Sequence, residues 1–162
     1  MMLTAHPLLA EIARTEPGRW LTPEELDGLR ADDPFMAPRV DAAAEARRVE
    51  STVLEATVET ILKKYDFEAR HDYGKDKCYR DVGAVYRYAV FAMLMNDRGL
   101  LENKLLYWMR SIIQSFQFPS GNESIRMTYR LLRQSANRSL APEHARLLDP
   151  FLAAAEEVLP SP

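Results

Sequence analysis

Leu54, Val58, Ile61, Leu62 and Tyr65 recur at spacings of three and four, in a stretch rich in Ala and Glu. This period predicts one long amphipathic helix over residues 41–65. Residues 75–96 follow a different pattern. Beyond Asp81, the positions Val82, Val85, Tyr86, Ala89, Val90, Met93 and Leu94 leave almost no polar face, which marks a helix buried among others. It is the expected central helix. After Asp97-Arg98-Gly99, the residues Leu101, Leu105, Trp108, Ile112 and Phe116 keep a helical stripe until Pro119.

Punctuation between these segments supplies the remaining elements. Thr22-Pro23-Glu24-Glu25 combines an N-cap threonine, a proline at the first helical position and a glutamate three residues after the cap. A short helix should begin there and end before Asp33-Pro34. Ahead of it, Pro7–Thr15 reads as another short helix, broken at Glu16-Pro17-Gly18. Ser120 and Glu123 have capping-box spacing before Ile125, Tyr129 and Leu132, and Pro142-Glu143 opens a last helix carrying Leu148, Phe151, Leu152 and Ala155. About seven helices without a strand run leave an all-α class, a bundle or a globin-like packing.

Composition narrows the function. The 162 residues, 47% of them hydrophobic, suffice for one compact domain. A net charge of -3, with charged residues of both signs, gives no basic footprint for nucleic acid. No apolar run approaches the roughly 20 residues of a bilayer span, and the N-terminus has no basic region followed by an apolar core. A cytoplasmic protein without membrane insertion is expected. The single cysteine, Cys78, is either a small buried hydrophobe or a thiol with a function.

Chemistry concentrates in Lys77-Cys78-Tyr79-Arg80-Asp81, at the start of the most buried helix. Cys78 and Asp81, three residues apart, share a face with Val82 and Val85 below them, and Arg80 can reach around the same volume. A large flat ligand bearing carboxylates and N–H groups would use all of these, with Lys77 and Arg80 pairing with the carboxylates. The alternative is a solvated helix start with a core cysteine. Tyr107, Trp108 and Tyr129 either line such a ligand or belong to the core. No histidine lies near Cys78 in sequence, and there is no paired-carboxylate motif or glycine-rich phosphate loop, so a non-enzymatic role is expected.

The stretch Gly74-Lys75-Asp76-Lys77-Cys78-Tyr79-Arg80-Asp81-Val82-Gly83 resembles the chromophore-attachment motif of phycobiliproteins: lysine, cysteine, any residue, arginine, aspartate. Glu11-Ile12-Ala13 and Gly18-Arg19-Trp20-Leu21-Thr22-Pro23-Glu24-Glu25-Leu26 resemble that family's N-terminal helical pair. The resemblance implies a globin-like fold with two extra N-terminal helices: an extension over residues 1–35 and a globin core over 36–162, together one bilin-binding domain. It implies a bilin, phycocyanobilin or biliverdin, joined through a thioether to Cys78. By the same resemblance Asp81 would accept from the N–H groups of the middle rings, and Lys77 and Arg80 would meet the propionates.

Some positions depart from the antenna pattern. Ala84 and Val85 stand where antenna subunits carry aromatics, Lys104 where many have tyrosine, and Arg14 where an aspartate commonly joins two subunits. The chain is in this respect more similar to the bilin biosynthesis-associated globins, which implies a carrier, sensor or bilin-metabolism role and possible contact with bilin-biosynthesis enzymes. A homodimer, or a pair with a related globin, is expected through N-terminal helices exposing Trp20, Leu21 and Phe35. The alternatives are a haem-binding globin sensor and a cofactor-free interaction globin. Haem needs an axial donor, yet the central helix has no histidine; His6 and His144 lie in terminal helices and His71 in a loop.

Overall fold

The computed structural model describes residues 6–65, 74–116 and 120–161. Every regular element among them is helical: α1 (Pro7–Thr15), α2 (Pro23–Asp32), α3 (Ala37–Arg48), α4 (Glu50–Lys64), α5 (Gly74–Met95), α6 (Arg98–Leu101), α7 (Tyr107–Ser115), α8 (Glu123–Ser139) and α9 (Pro142–Val158). A 3₁₀ turn, Pro34–Met36, precedes α3. The arrangement is the expected all-α, globin-like fold with two additional N-terminal helices. Helix α8 packs on α4 and α9, and α9 in turn on α5 and α3. α5 carries the deepest side chains, with Val85, Tyr86, Ala89 and Ala92 removed from solvent.

The N-terminal pair follows its local signals. The Thr22 hydroxyl accepts from the Glu25 N–H, and the Glu25 carboxylate accepts from the Thr22 N–H, closing a capping box. Arg19 adds two bonds to the same carboxylate, at 2.9 and 2.8 Å. The turn between α1 and α2 lies directly on α5: a Cβ at Gly18 would meet the Tyr88 ring at 2.4 Å, so only glycine permits this approach.

Two expected helices are interrupted. The helix expected over residues 41–65 starts earlier, at Ala37, and breaks at Val49, whose backbone (φ −96°, ψ 4°) leaves the helical region. Arg47 and Arg48 close α3 and Glu50 opens α4, so charges of opposite sign face the helix dipoles on either side of the break. The second interruption is a π-helical turn over Glu102–Leu106. It inserts one residue, and every later side chain is rotated by about 100°. The buried face therefore runs Leu101, Leu105, Leu106, Met109, Ile113, and not through Trp108 and Ile112 as the sequence stripe predicts. Trp108 is 61% and Ile112 40% exposed.

Helix α8 begins at Glu123 with no side-chain cap bond from its N-cap, Asn122. In place of the capping bond suggested by spacing, the Ser120 hydroxyl donates to the Ser124 hydroxyl at 2.7 Å. No helix among the described residues is long and apolar enough to cross a membrane.

Candidate ligand site at the start of helix α5

Gly74, at φ +56°, turns the chain into α5, and the first two turns of that helix deliver the motif. Cys78 is 5% and Asp81 8% exposed, on the shared face that their spacing predicts. Arg80 lies mostly in solvent, yet its Nε donates to Asp81 Oδ1 at 3.0 Å. The pair thus runs from a buried carboxylate to an exposed guanidinium. Val82 and Val85 continue the face inward and are fully buried, forming a closed apolar floor.

Two further helices border this face. Tyr129 of α8 is buried, and this pushes its hydroxyl well above the usual phenol range, with Cys78 and Asp81 adding to the effect through their proximity. The same hydroxyl faces the Met109 sulfur of α7 at 4.0 Å. Cys78, Asp81, Tyr129 and Met109 therefore form one seam where α5, α7 and α8 meet. Met109 is the member that sequence reasoning missed, because only the π turn rotates it inward.

Lys77 points toward the end of α7, its Nζ lying 5.7 Å from the centre of the Phe116 ring. Lys75 pairs with Glu59 of α4 at 3.0 Å. Tyr107 and Trp108 sit on the outward face of α7, off the seam joining Met109 to Tyr129. Tyr107, 43% exposed, donates its hydroxyl to Glu102 at 3.0 Å and carries the Arg110 guanidinium over its ring.

The other polar groups considered from sequence have structural contacts. His6 Nδ1 accepts from the Leu8 N–H while Nε2 faces Asp32 at 2.9 Å, which fixes the proton on Nε2 in the neutral ring. His144 bonds Glu45 at 2.9 Å and ties α9 to α3. His71 lies outside the described residues. No group of three or more His, Cys, Asp or Glu gathers as metal ligands among the described residues.

The N-terminal surface differs in composition from expectation. Leu21 is buried and Trp20 is half-buried, meeting the Tyr86 ring edge-on at a centroid distance of 6.0 Å, so both belong to the packing of the pair on α5. Phe35, at 93%, is the exposed member of the three. The single-letter pattern cannot separate them, since all three are large apolar residues near helix ends.

Comparison with known proteins gives a consistent picture. The family profile described as "Phycobilisome protein" matches residues 13–159. Two curated relatives are C-phycoerythrin class 1 alpha subunits of Synechococcus sp., strains WH8020 and WH7803. They are 26% and 24% identical over 132 residues, covering 78% of this chain and 80% of each relative.

Proposed function

Because the chain belongs to the phycobilisome protein family, we propose that it is a single-domain bilin-binding protein whose pigment is held at the start of α5 and tethered to Cys78. One observation carries this reading. A buried thiol and a buried carboxylate share the face of one helix, and the carboxylate is paired with a cation that reaches solvent. A bilin supplies a conjugated, protonatable ring system with N–H donors and two propionates. The donor set fits it: Asp81 is an acceptor inside the protein, Arg80 and Lys77 are cations at the rim, and Val82 and Val85 form the apolar floor.

Each residue has a defined part. Asp81 accepts from ring N–H groups, so its buried charge faces a delocalised cation. Arg80 is paired with Asp81 and its guanidinium lies mostly at the solvent edge, where it would meet a propionate. Attachment adds the Cys78 S–H across a carbon–carbon double bond on a ring substituent: the sulfur bonds to one carbon, the proton goes to the conjugated chain, and no leaving group or redox change is involved. Tyr129 and Met109 close the inner wall, whereas Trp108 and Tyr107 face outward and take no part in it.

A carrier, sensor or bilin-metabolism role is favoured over an antenna role. Arg14, where an antenna contact commonly has aspartate, is exposed and paired with Glu11 on its own helix. Lys104 is exposed, and the Ala84-Val85 pair leaves the wall without its aromatic rings. For a partner, a second copy or a related globin would dock beside the N-terminal pair. There a cleft of about 430 Å³ between α2 and α3 is lined by Leu21, Pro23, Leu26 and Ala44 together with Asp27, Arg30, Arg47 and Arg48. We place the protein in the cytoplasm, with phycocyanobilin or biliverdin as its pigment.

The test is coexpression with bilin-producing enzymes, followed by absorbance and zinc-enhanced fluorescence on a denaturing gel. Wild type should carry pigment that survives denaturation, and Cys78→Ala should lose that survival. Colourless wild type would overturn the reading; pigment that washes out of both proteins equally would remove the thioether alone.

A further inference from the structure

We propose that Glu59, Tyr79 and Lys75 form a positioning clamp that fixes the angle at which the first turns of α5 present Cys78, Arg80 and Asp81; the inference rests on the pigment reading above. Helix starts are the weakest part of a helix, since their first four N–H groups have no acceptor within the helix. This start carries the candidate attachment residues, so any rocking of it is passed to the tether and to the Asp81 carboxylate.

The restraint comes from α4. The Glu59 carboxylate accepts from the Tyr79 hydroxyl at 2.8 Å and pairs with Lys75 Nζ at 3.0 Å. Lys75 and Tyr79 are one turn apart on α5, and the ammonium lies 6.0 Å from the centre of the Tyr79 ring. The three groups thus close a triangle across the α4–α5 contact. Tyr79 directly follows Cys78, so it holds the flank of the helix about 100° from the thiol and leaves the ligand face free. The clamp is also electrostatically matched: Glu59 is drawn below the usual carboxylate range, first by the Tyr79 hydroxyl and next by Lys75.

Glu59 and Lys75 are each about half exposed, with 43% and 58% of their side chains in solvent. Pairs of that kind add little to global stability. What the triangle supplies is geometry, which an open-chain pigment requires. Emission from a bilin competes with twisting about its methine bridges, so it registers small losses of rigidity at the tether that an unfolding curve does not.

Glu59→Gln, Tyr79→Phe and the double variant are coexpressed with bilin-producing enzymes. Pigment per chain, emission per bound pigment and the urea midpoint are then read. The clamp predicts wild-type pigment content and a nearly unchanged midpoint, with emission per pigment lowered by either single change. The double variant should be no dimmer than the dimmer single variant, since the two groups act as one unit. Unchanged emission in both single variants overturns the clamp, and so does a dimming matched by an equal loss of pigment and stability. Colourless wild type overturns the pigment reading alone. Amide exchange over residues 74–81 of the unpigmented protein then decides the clamp, which requires exchange about fivefold faster in Glu59→Gln.

Discussion

Arg80 Nε lies 3.0 Å from Asp81 Oδ1, although 64% of the arginine side chain is in solvent and only 11% of the aspartate. Neighbours in sequence point about 100° apart on a helix, so the contact requires the guanidinium to fold back over the helix surface. The result is a largely buried carboxylate with a cation held against it from the solvent side. An ion pair with one partner this exposed contributes about 1 kcal/mol or less to folding. Its importance is in what the carboxylate faces.

In the bilin reading proposed above, Asp81→Asn should still fold and should alter the pigment. Loss of the anionic acceptor leaves ring N–H groups opposite a neutral amide, and the red band should weaken and broaden. Absorbance of the purified, coexpressed variant measures this directly. A spectrum identical to wild type would remove Asp81 from the site.

Much of this arrangement is legible in the sequence because the signals are local. Thr22, Pro23 and Glu25 specify the start of α2, and Glu16-Pro17-Gly18 marks the end of α1. Cys78 and Asp81 share a face because helical spacing dictates it. What periodicity does not reveal are single-residue changes of register. The π turn at Glu102–Leu106 leaves composition and spacing untouched, yet it exchanges Trp108 for Met109 on the buried side. The break at Val49 leaves a fainter trace, the change from Arg47-Arg48 to Glu50. Glu59 was out of reach for a different reason. Its partners lie 16 and 20 residues away on another helix, and only the packing of α4 on α5 brings them together.

Tyr86 shows how the break at Val49 is accommodated. Its ring is fully buried on α5, and its hydroxyl donates at 2.6 Å to the carbonyl of Ala46, in the last turn of α3 where carbonyls run out of helical N–H partners. Burial pushes this hydroxyl far above the ordinary phenol range, so it acts as a donor at all physiological pH values. Tyr86→Phe keeps the ring and its edge contact with Trp20 but strands a buried carbonyl. The expected cost is about 1–3 kcal/mol, seen as a lower urea midpoint with an unchanged slope. A midpoint equal to wild type would show that the carbonyl finds another donor.

Acid should release the N-terminal pair through Glu25. Its carboxyl is drawn from the ordinary 4.5 to about 2, first by the two bonds from Arg19 and then by the Thr22 N–H. A depressed carboxyl contributes stability that is complete above the unfolded value and is lost as pH falls through the folded one. The contribution is therefore full above about pH 5 and disappears between about 4.5 and about 2. The shift sets a ceiling of about 3 kcal/mol, and partial solvent exposure of both Arg19 and Glu25 brings the expected value nearer 1 kcal/mol. Glu25→Gln cannot titrate, so urea unfolding across pH should show a constant deficit relative to wild type at neutral pH that closes on acidification. A deficit that stays level down to pH ~2.5, below the unfolded carboxyl value, would show that Arg19 and the cap hold the turn whatever the charge on residue 25. NMR titration of the Glu25 carboxyl carbon separates this effect from general acid unfolding, because the local midpoint should fall near 2 while the remaining carboxylates titrate at their own values.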